Sequence, residues 1–276
     1  MKKRVKLVSI ILNCYNGEKY LKHSLSSIKN QTYKNWELIF WDNRSTDNSK
    51  EILKSSKIKR LRYFLSKKHT TLYSARNLAI KKARGDYIAF IDSDDMWEKD
   101  KLEIQLKNFK DKNTAVVYGN SFLKNEINKK IKKFINYTVN SGYVYEDLIK
   151  NYNVGILTAM IKTSLLKKSK IKFNNKYNII GDFDFFLRIS KIYKFKYLPK
   201  PIATYRIHEN NLSSIKKSLQ IKEFKNWLKS NKQKMGEAEC ISIKIKINQL
   251  QLIDRKFSKN FFITFLFFIK NFKNLL

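Results

Sequence analysis

Asp86-Tyr87-Ile88-Ala89-Phe90-Ile91-Asp92-Ser93-Asp94-Asp95-Met96-Trp97 is the stretch that decides the fold. Tyr87–Ile91 is a continuous apolar run, the pattern of a strand buried on both faces. It ends in three carboxylates, Asp92, Asp94 and Asp95. Acids crowded at a strand end repel one another unless a cation sits between them. Oxygen-only ligands suit Mg²⁺ or Mn²⁺, and those ions suit a diphosphate. The plainer alternative is a solvated acidic turn that caps the following helix.

The chain around this stretch alternates strand and helix. Residues 5–12 read as a first strand, Trp36–Trp41 as a second ending at Asp42, Leu61–Leu65 as a third and Ala115–Tyr118 as a fifth. Leu21, Leu25 and Ile28 recur at helical spacing, as do Leu102, Leu106 and Phe109. Ser45-Thr46-Asp47 starts a helix, and another runs from Leu72 until Gly85 ends it. This order predicts an α/β fold with a mostly parallel sheet and helices on both faces. Such sheets bind ligands at the carboxyl ends of their strands. Asn13, Asp42 and Asp92–Asp95 all fall at such ends, so they are expected to share one crevice, which favours the cation-site reading.

Residues 121–170 are polar and predict a hairpin or loop excursion, then a helix near Glu146–Asn151. Gly155–Ile161 reads as a strand, Ser164–Lys168 as a short helix, and a further helix opens near Asp182. Lys196–Leu198, Pro199 and Ile202–Tyr205 read as strand, turn and strand. Ile241, Ile243, Ile245 and Ile247 alternate with polar residues, which is strand periodicity, with a helix as the alternative.

The 276 residues suffice for one large core with an appendage. The expected division is a catalytic domain over 1–214 and a basic, aromatic, mostly helical extension over 215–276. The formal charge of +35 comes from 58 basic and 23 acidic residues, with lysines spread along the whole chain. AT-rich coding alone produces such a Lys-, Asn- and Ile-rich composition. The charge is therefore read as a taste for anions, and no nucleic acid partner is expected. Cys14 and Cys240 offer neither a disulfide framework nor zinc spacing, which points to a reducing, cytoplasmic compartment. The apolar run at 5–12 is too short and β-branched for a signal segment, and no run reaches the roughly 20 apolar residues of a membrane span.

Six stretches in series are recognisable. They are Val8–Gly17, Trp41–Asp47, Ala75-Arg76-Asn77, Phe90–Trp97, Gly181–Arg188, and Tyr205-Arg206-Ile207-His208 with Asn211-Leu212-Ser213. Together they resemble the family-2 glycosyltransferases of GT-A fold, over residues 5–215. The resemblance implies sugar transfer with inversion from a nucleoside diphosphate, with a UDP-sugar favoured, to an acceptor hydroxyl. It implies Mn²⁺ or Mg²⁺ on Asp94 first, with Asp92 and Asp95 as partners and His208 as a further ligand. Asp42 or Asn43 would contact the donor's base, with Asn13 and Tyr15 lining the pocket and Arg76 pairing with the diphosphate. Asp182 is the expected catalytic base, and Asp184 the second choice. Relatives often carry Glu at the place of Gly181, so Asp182 lacks a neighbouring acid here.

The acceptor class implied is a glycan or lipid-linked intermediate of bacterial surface polysaccharide or lipopolysaccharide. Phe257, Phe261, Phe265, Phe268 and Phe272 form a stripe flanked by lysines. This suits a helix over 255–276 on an anionic membrane surface at the inner face of the cytoplasmic membrane. The alternative is packing on the catalytic domain or on a second subunit in a homodimer. Two other functions compete: a sugar nucleotidyltransferase, disfavoured because no Gly-rich phosphate loop follows the first strand, and a basic nucleic-acid-binding protein.

Overall fold

A computed structural model describes the backbone of residues 4–272 and the side chains of residues 4–212 and 215–254. The chain divides into two compact units, residues 1–208 and 209–276.

The first unit opens with β1 (Val8–Cys14), α1 (Glu18–Lys29), β2 (Trp36–Asp42), α2 (Ser49–Ser55), β3 (Leu61–Leu65), α3 (Leu72–Ile80) and β4 (Tyr87–Asp92). These four strands are mutually parallel in the order β3-β2-β1-β4. Every residue of β1 and β2 is buried, because both faces of the sheet are covered. Ile10, Leu12, Leu38, Phe40 and Ala89 pack with Leu21, Leu25 and Ile28 of α1. On α3, the small side chains Ala75 and Ala79 are buried and let the helix lie close to β1 and β2.

The chain continues through β5 (Met96–Trp97), α4 (Lys101–Lys107), β6 (Thr114–Asn125), β7 (Ile131–Lys133), α5 (Tyr145–Lys150), β8 (Met160–Lys162), α6 (Thr163–Ser169), α7 (Gly181–Ser190) and β9 (Lys194–Ile207). β8 joins antiparallel to β4 and to β6, β9 runs parallel to β6, and β5 pairs antiparallel with β9. The sheet is therefore mixed, with a parallel half that carries the acidic strand ends. β6 and β7 form the hairpin expected of the polar middle region.

Four local expectations are corrected. Val5 is 64% exposed and the first strand starts at Val8. α3 stops at Ile80, and Gly85 serves a close approach instead of ending the helix. A Cβ at Gly85 would lie 2.6 Å from the Ser9 backbone nitrogen, so the nearness of this turn to β1 needs glycine. Residues 194–207 form one strand rather than two. Pro199 and Pro201 sit at a register shift against β6, where Gly119 faces Leu198 and Asn120 faces Pro201, so the prolines mark a bulge instead of a turn. Gly155–Ile161 is mostly a tight helical turn, with only Met160 and Ile161 in β8.

The second unit holds α8 (Leu212–Ile215), α9 (Lys217–Asn231) and α10 (Glu237–Phe272). The alternating isoleucines are helical. Ile243 and Ile247, four apart, are buried, while Ile241 and Ile245 are half exposed. Spacing by two fills two helix faces, which strand periodicity imitates. α9 packs on α10, with Lys246 over the Phe224 ring. The side chains of the Phe257–Phe272 stripe lie outside the described residues. Among the described residues no helix is long and apolar enough to cross a membrane.

Candidate active site

The parallel register brings the strand ends into one row. Asn13 at the end of β1 lies beside Trp41 of β2 and Asp92 of β4, and Cys14 faces Asp42. Asn13 is 8% exposed and its amide Nδ2 is buried without a hydrogen-bond partner among the described residues.

The acidic turn follows Asp92 and is held from two sides. The Ser24 hydroxyl of α1 lies 2.8 Å from the Ser93 carbonyl and 2.6 Å from that of Asp95. β5 leaves the turn and pairs with Ala203 and Thr204, so the end of β9 runs back alongside the acids. There the Arg206 backbone N–H donates to Asp95 Oδ1 (2.9 Å) and its Nε donates to the Asp94 carbonyl (2.8 Å). The same guanidinium pairs with Glu126 and lies over the Tyr20 ring. Two residues on, His208 Nε2 sits 3.0 Å from Asp94 Oδ2.

The three acids therefore have different surroundings. Asp95 is 1% exposed and turned inward; burial first, then the charges of Asp94 and Asp92, push its carboxyl well above the usual range. It latches the turn to β9 and is not presented to the crevice as the third ligand expected. Asp92 and Asp94 keep roughly a third of their side chains exposed. The Asp94 carboxyl is raised by burial and by Asp92, and His208 opposes the rise.

Arg76 of α3 is buried and its Nη2 lies 2.6 Å from Asp92 Oδ1. It is expected at the diphosphate; in this structure its direct partner is the first acid of the turn. Its charge also acts on Asp182, and its guanidinium lies over the Tyr73 ring. Asp182 is the second residue of α7 and half-buried. Its Oδ1 accepts from the Phe183 N–H (2.8 Å) and lies 3.3 Å from the Tyr73 hydroxyl. Burial raises its carboxyl above the ordinary value, and Arg76 limits the rise. Asp184, the second choice of base, is committed elsewhere: Arg188 Nε and Nη2 both donate to its Oδ2, at 3.0 and 2.6 Å.

At the other end of the row, Asp42 is 2% exposed. Its Oδ1 accepts from the Ser45 N–H and its Oδ2 from the Tyr63 hydroxyl. Asn43 clamps the loop before α3 through three hydrogen bonds to Thr70. Both are thus held by the protein's own groups. Tyr15 is 53% exposed and packs edge-on against His69, with ring centroids 4.3 Å apart. His69, Tyr73 and Arg206 carry no role in the sequence reading. The loop after β3, a further parallel strand end, was the signal that could have flagged His69.

Among the described residues no group of three or more His, Cys, Asp and Glu is arranged to hold a metal ion. The carboxylate–imidazole pair of Asp94 and His208 nevertheless supplies two donors of the right chemistry. Two protein donors fit an ion that takes its other ligands from phosphates and water.

The Glycosyl transferase family 2 model matches residues 9–186, well over half of the chain. The chain therefore belongs to glycosyl transferase family 2, which makes it a glycosyltransferase by class and sets aside the nucleotidyltransferase and nucleic-acid readings. It is 36% identical over 170 residues to the UDP-Glc:alpha-D-GlcNAc-diphosphoundecaprenol beta-1,3-glucosyltransferase WfgD of Escherichia coli, covering 62% of this chain and 66% of that protein. It is 36% identical over 157 residues to the putative teichuronic acid biosynthesis glycosyltransferase TuaG of Bacillus subtilis, covering 56% and 62%. The chain thus spans just under two thirds of the length of these two relatives. An uncharacterized glycosyltransferase of Haemophilus influenzae is 33% identical over 239 residues, covering 85% and 92%. Among solved structures, S. aureus TarS in complex with UDP-GlcNAc superposes with a TM-score of 0.64 at 19% identity, covering 88% of this chain and 72% of that one. The mannosyltransferase PcManGT of Pyrobaculum calidifontis, in complex with GDP-Man and Mn²⁺, gives 0.62 at 15%, covering 87% and 68%. These likenesses show the GT-A fold.

Proposed function

We propose that this protein inverts the anomeric centre of a nucleoside-diphosphate sugar while transferring the sugar to a hydroxyl of a glycan or lipid-linked acceptor. The observation that carries the reading is the placement of Arg76, which pairs with Asp92 on the leaving-group side and acts electrostatically on Asp182. One buried cation thereby joins a half-buried carboxylate to the acidic turn.

Asp182 takes the acceptor's proton as the hydroxyl attacks. A carboxylate raised by burial is a stronger base than an exposed one. Asp92, held by Arg76, faces the diphosphate. Asp94 and His208 would hold Mn²⁺ or Mg²⁺, which when bound neutralises charge developing on the diphosphate. Asn13 brings a buried donor with no partner among the described residues, suited to a polar atom of the nucleotide. Tyr15, 53% exposed, with His69 packed edge-on against it, offers aromatic surface beyond the end of β1. A UDP-sugar is the favoured donor, because WfgD is named for UDP-Glc and TarS was solved with UDP-GlcNAc. The names of WfgD, which acts on a diphosphoundecaprenol-linked sugar, and TuaG, of teichuronic acid biosynthesis, support a lipid-linked or glycan acceptor in surface polysaccharide synthesis. On this reading residues 1–214 form the catalytic domain and 215–276 a C-terminal extension, of which 255–276 meet the membrane surface, the catalytic domain or a second subunit.

A thermal-shift screen of UDP-, GDP-, CMP- and dTDP-sugars, with and without Mn²⁺, tests the donor site. A metal-dependent response that disappears in Asp94→Ala is expected; no response to any of them would sink the reading. Asp182→Asn should abolish transfer while keeping donor binding, and retained transfer would remove Asp182 as the base.

A further inference from the structure

A second concavity lies away from the acidic strand ends. It has a volume of about 330 Å³, at the small end of the roughly 300–1,000 Å³ seen for ligand pockets. Ile80 of α3, Ile88 of β4, Leu166 of α6 and Phe185 of α7 form its apolar wall. Ile88 is the second residue of β4 and Asp92 the last, so this slot opens about 13 Å from the acids along the strand.

Three features make it a built site. Its wall is fixed: Asn77 donates to the Phe173 carbonyl (2.8 Å) and accepts from its N–H (3.0 Å), while Arg188 Nη2 donates to the Lys172 carbonyl. Thr163, 6% exposed, lines it, and its Oγ1 is buried without a hydrogen-bond partner among the described residues. It is edged by Lys81, Lys167, Lys170 and Lys172, all exposed. None of the four has an ion-pair partner among the described residues, and no carboxylate lines the slot.

An apolar slot with a single hydroxyl does not satisfy a nucleobase or a peptide backbone, each of which needs several paired polar groups. It does satisfy a hydrocarbon chain. Four unpaired lysines at its mouth ask for an anion where that chain ends. We infer that this slot binds one hydrocarbon chain of an anionic lipid, with the lipid phosphate held by the lysines at its edge. Chain burial and phosphate attraction together anchor more firmly than either alone. The inference stands apart from the choice of base and of metal ligands, since no residue is shared.

The test uses the full chain and monododecyl phosphate below its micelle concentration, with inorganic phosphate and dodecyl maltoside as the head-only and chain-only probes. Titration calorimetry reads stoichiometry, and methyl NMR of Ile80, Ile88 and Leu166 reads location. One equivalent of the alkyl phosphate should bind and shift these methyls, more tightly than either control. Lys167→Glu/Lys170→Glu/Lys172→Glu should weaken it by roughly tenfold or more. Leu166→Trp should exclude the chain; should that variant not fold, the surface lysine variant still decides. Shifts confined to other methyls, equal binding of inorganic phosphate, or unchanged affinity in the lysine variant would each overturn the inference.

Discussion

Gly181→Ala tests the link between α3 and the candidate base. A Cβ at this position would lie 2.4, 2.5 and 2.7 Å from Cδ2, Cε2 and Cγ of Tyr73. Carbon atoms rest at about 3.5–4.0 Å, so the ring or the start of α7 must give by about 1 Å. The ring has nowhere to go: Tyr73 is 3% exposed and stacks on Phe173. Overpacking of this kind costs about 1–3 kcal/mol. Displacing Tyr73 also breaks its 2.8 Å hydrogen bond to the Ile179 carbonyl, worth about 1 kcal/mol net. The variant should therefore lose about 2–4 kcal/mol in urea denaturation. Asp182 begins the same turn, and a misplacement near 1 Å can lower the transfer rate by up to about a hundredfold. In a Tyr73→Ala background the ring is gone, and Gly181→Ala should cost no more than about 0.5 kcal/mol. A single variant as stable as the parent, or a double-variant cycle with no coupling, would refute the placement of Tyr73 against Gly181.

Arg76→Gln should lower the transfer rate by roughly ten- to a hundredfold. It should also move the acid limb of the pH–rate profile upward, because the charge that restrains the Asp182 carboxyl is removed and the base stays protonated to higher pH. A profile that keeps its limb would separate Arg76 from the base. Glu126 is held down to about 2 by Lys124 first, then Arg206 and Lys129. A depressed folded-state value stabilises above the unfolded-state value, near 4.3, and the benefit fades as pH falls from there toward 2. Glu126→Gln should thus lose about 1 kcal/mol at pH 6, after solvent screening, and little at pH 2.5 in urea denaturation.

The parallel half of the sheet was legible because β1, β2 and β4 are buried on both faces and so read as largely apolar runs, broken only by Ser9 and Glu37 before their polar ends. The row of Asn13, Asp42 and Asp92 followed, since parallel neighbours end side by side. Pairing across long stretches of chain was not legible. Tyr73 meets Asp182 over 109 positions, and Arg206 meets Asp95 over 111. No local period encodes such contacts; the second arises where β5 pairs with β9, the first where α3 meets the start of α7. The same limit hid the state of Asp42 and Asn43. Residue type suggested free polar groups, but the folded chain spends them on Ser45, Tyr63 and Thr70.

Three acids in four positions first suggested that one cation must hold the turn together. The structure divides that duty among partners from separate places. Arg76 of α3 answers Asp92, His208 beyond β9 answers Asp94, and the Arg206 backbone N–H within β9 answers Asp95. Ser24 adds a fourth tie through the carbonyls. The turn is thus tied to the fold at several points, although burial and the neighbouring charges still raise the Asp94 and Asp95 carboxyls. The pre-set turn also explains the buried Asp95. One acid is given up as an anchor so that its two neighbours stand at a fixed place in the crevice.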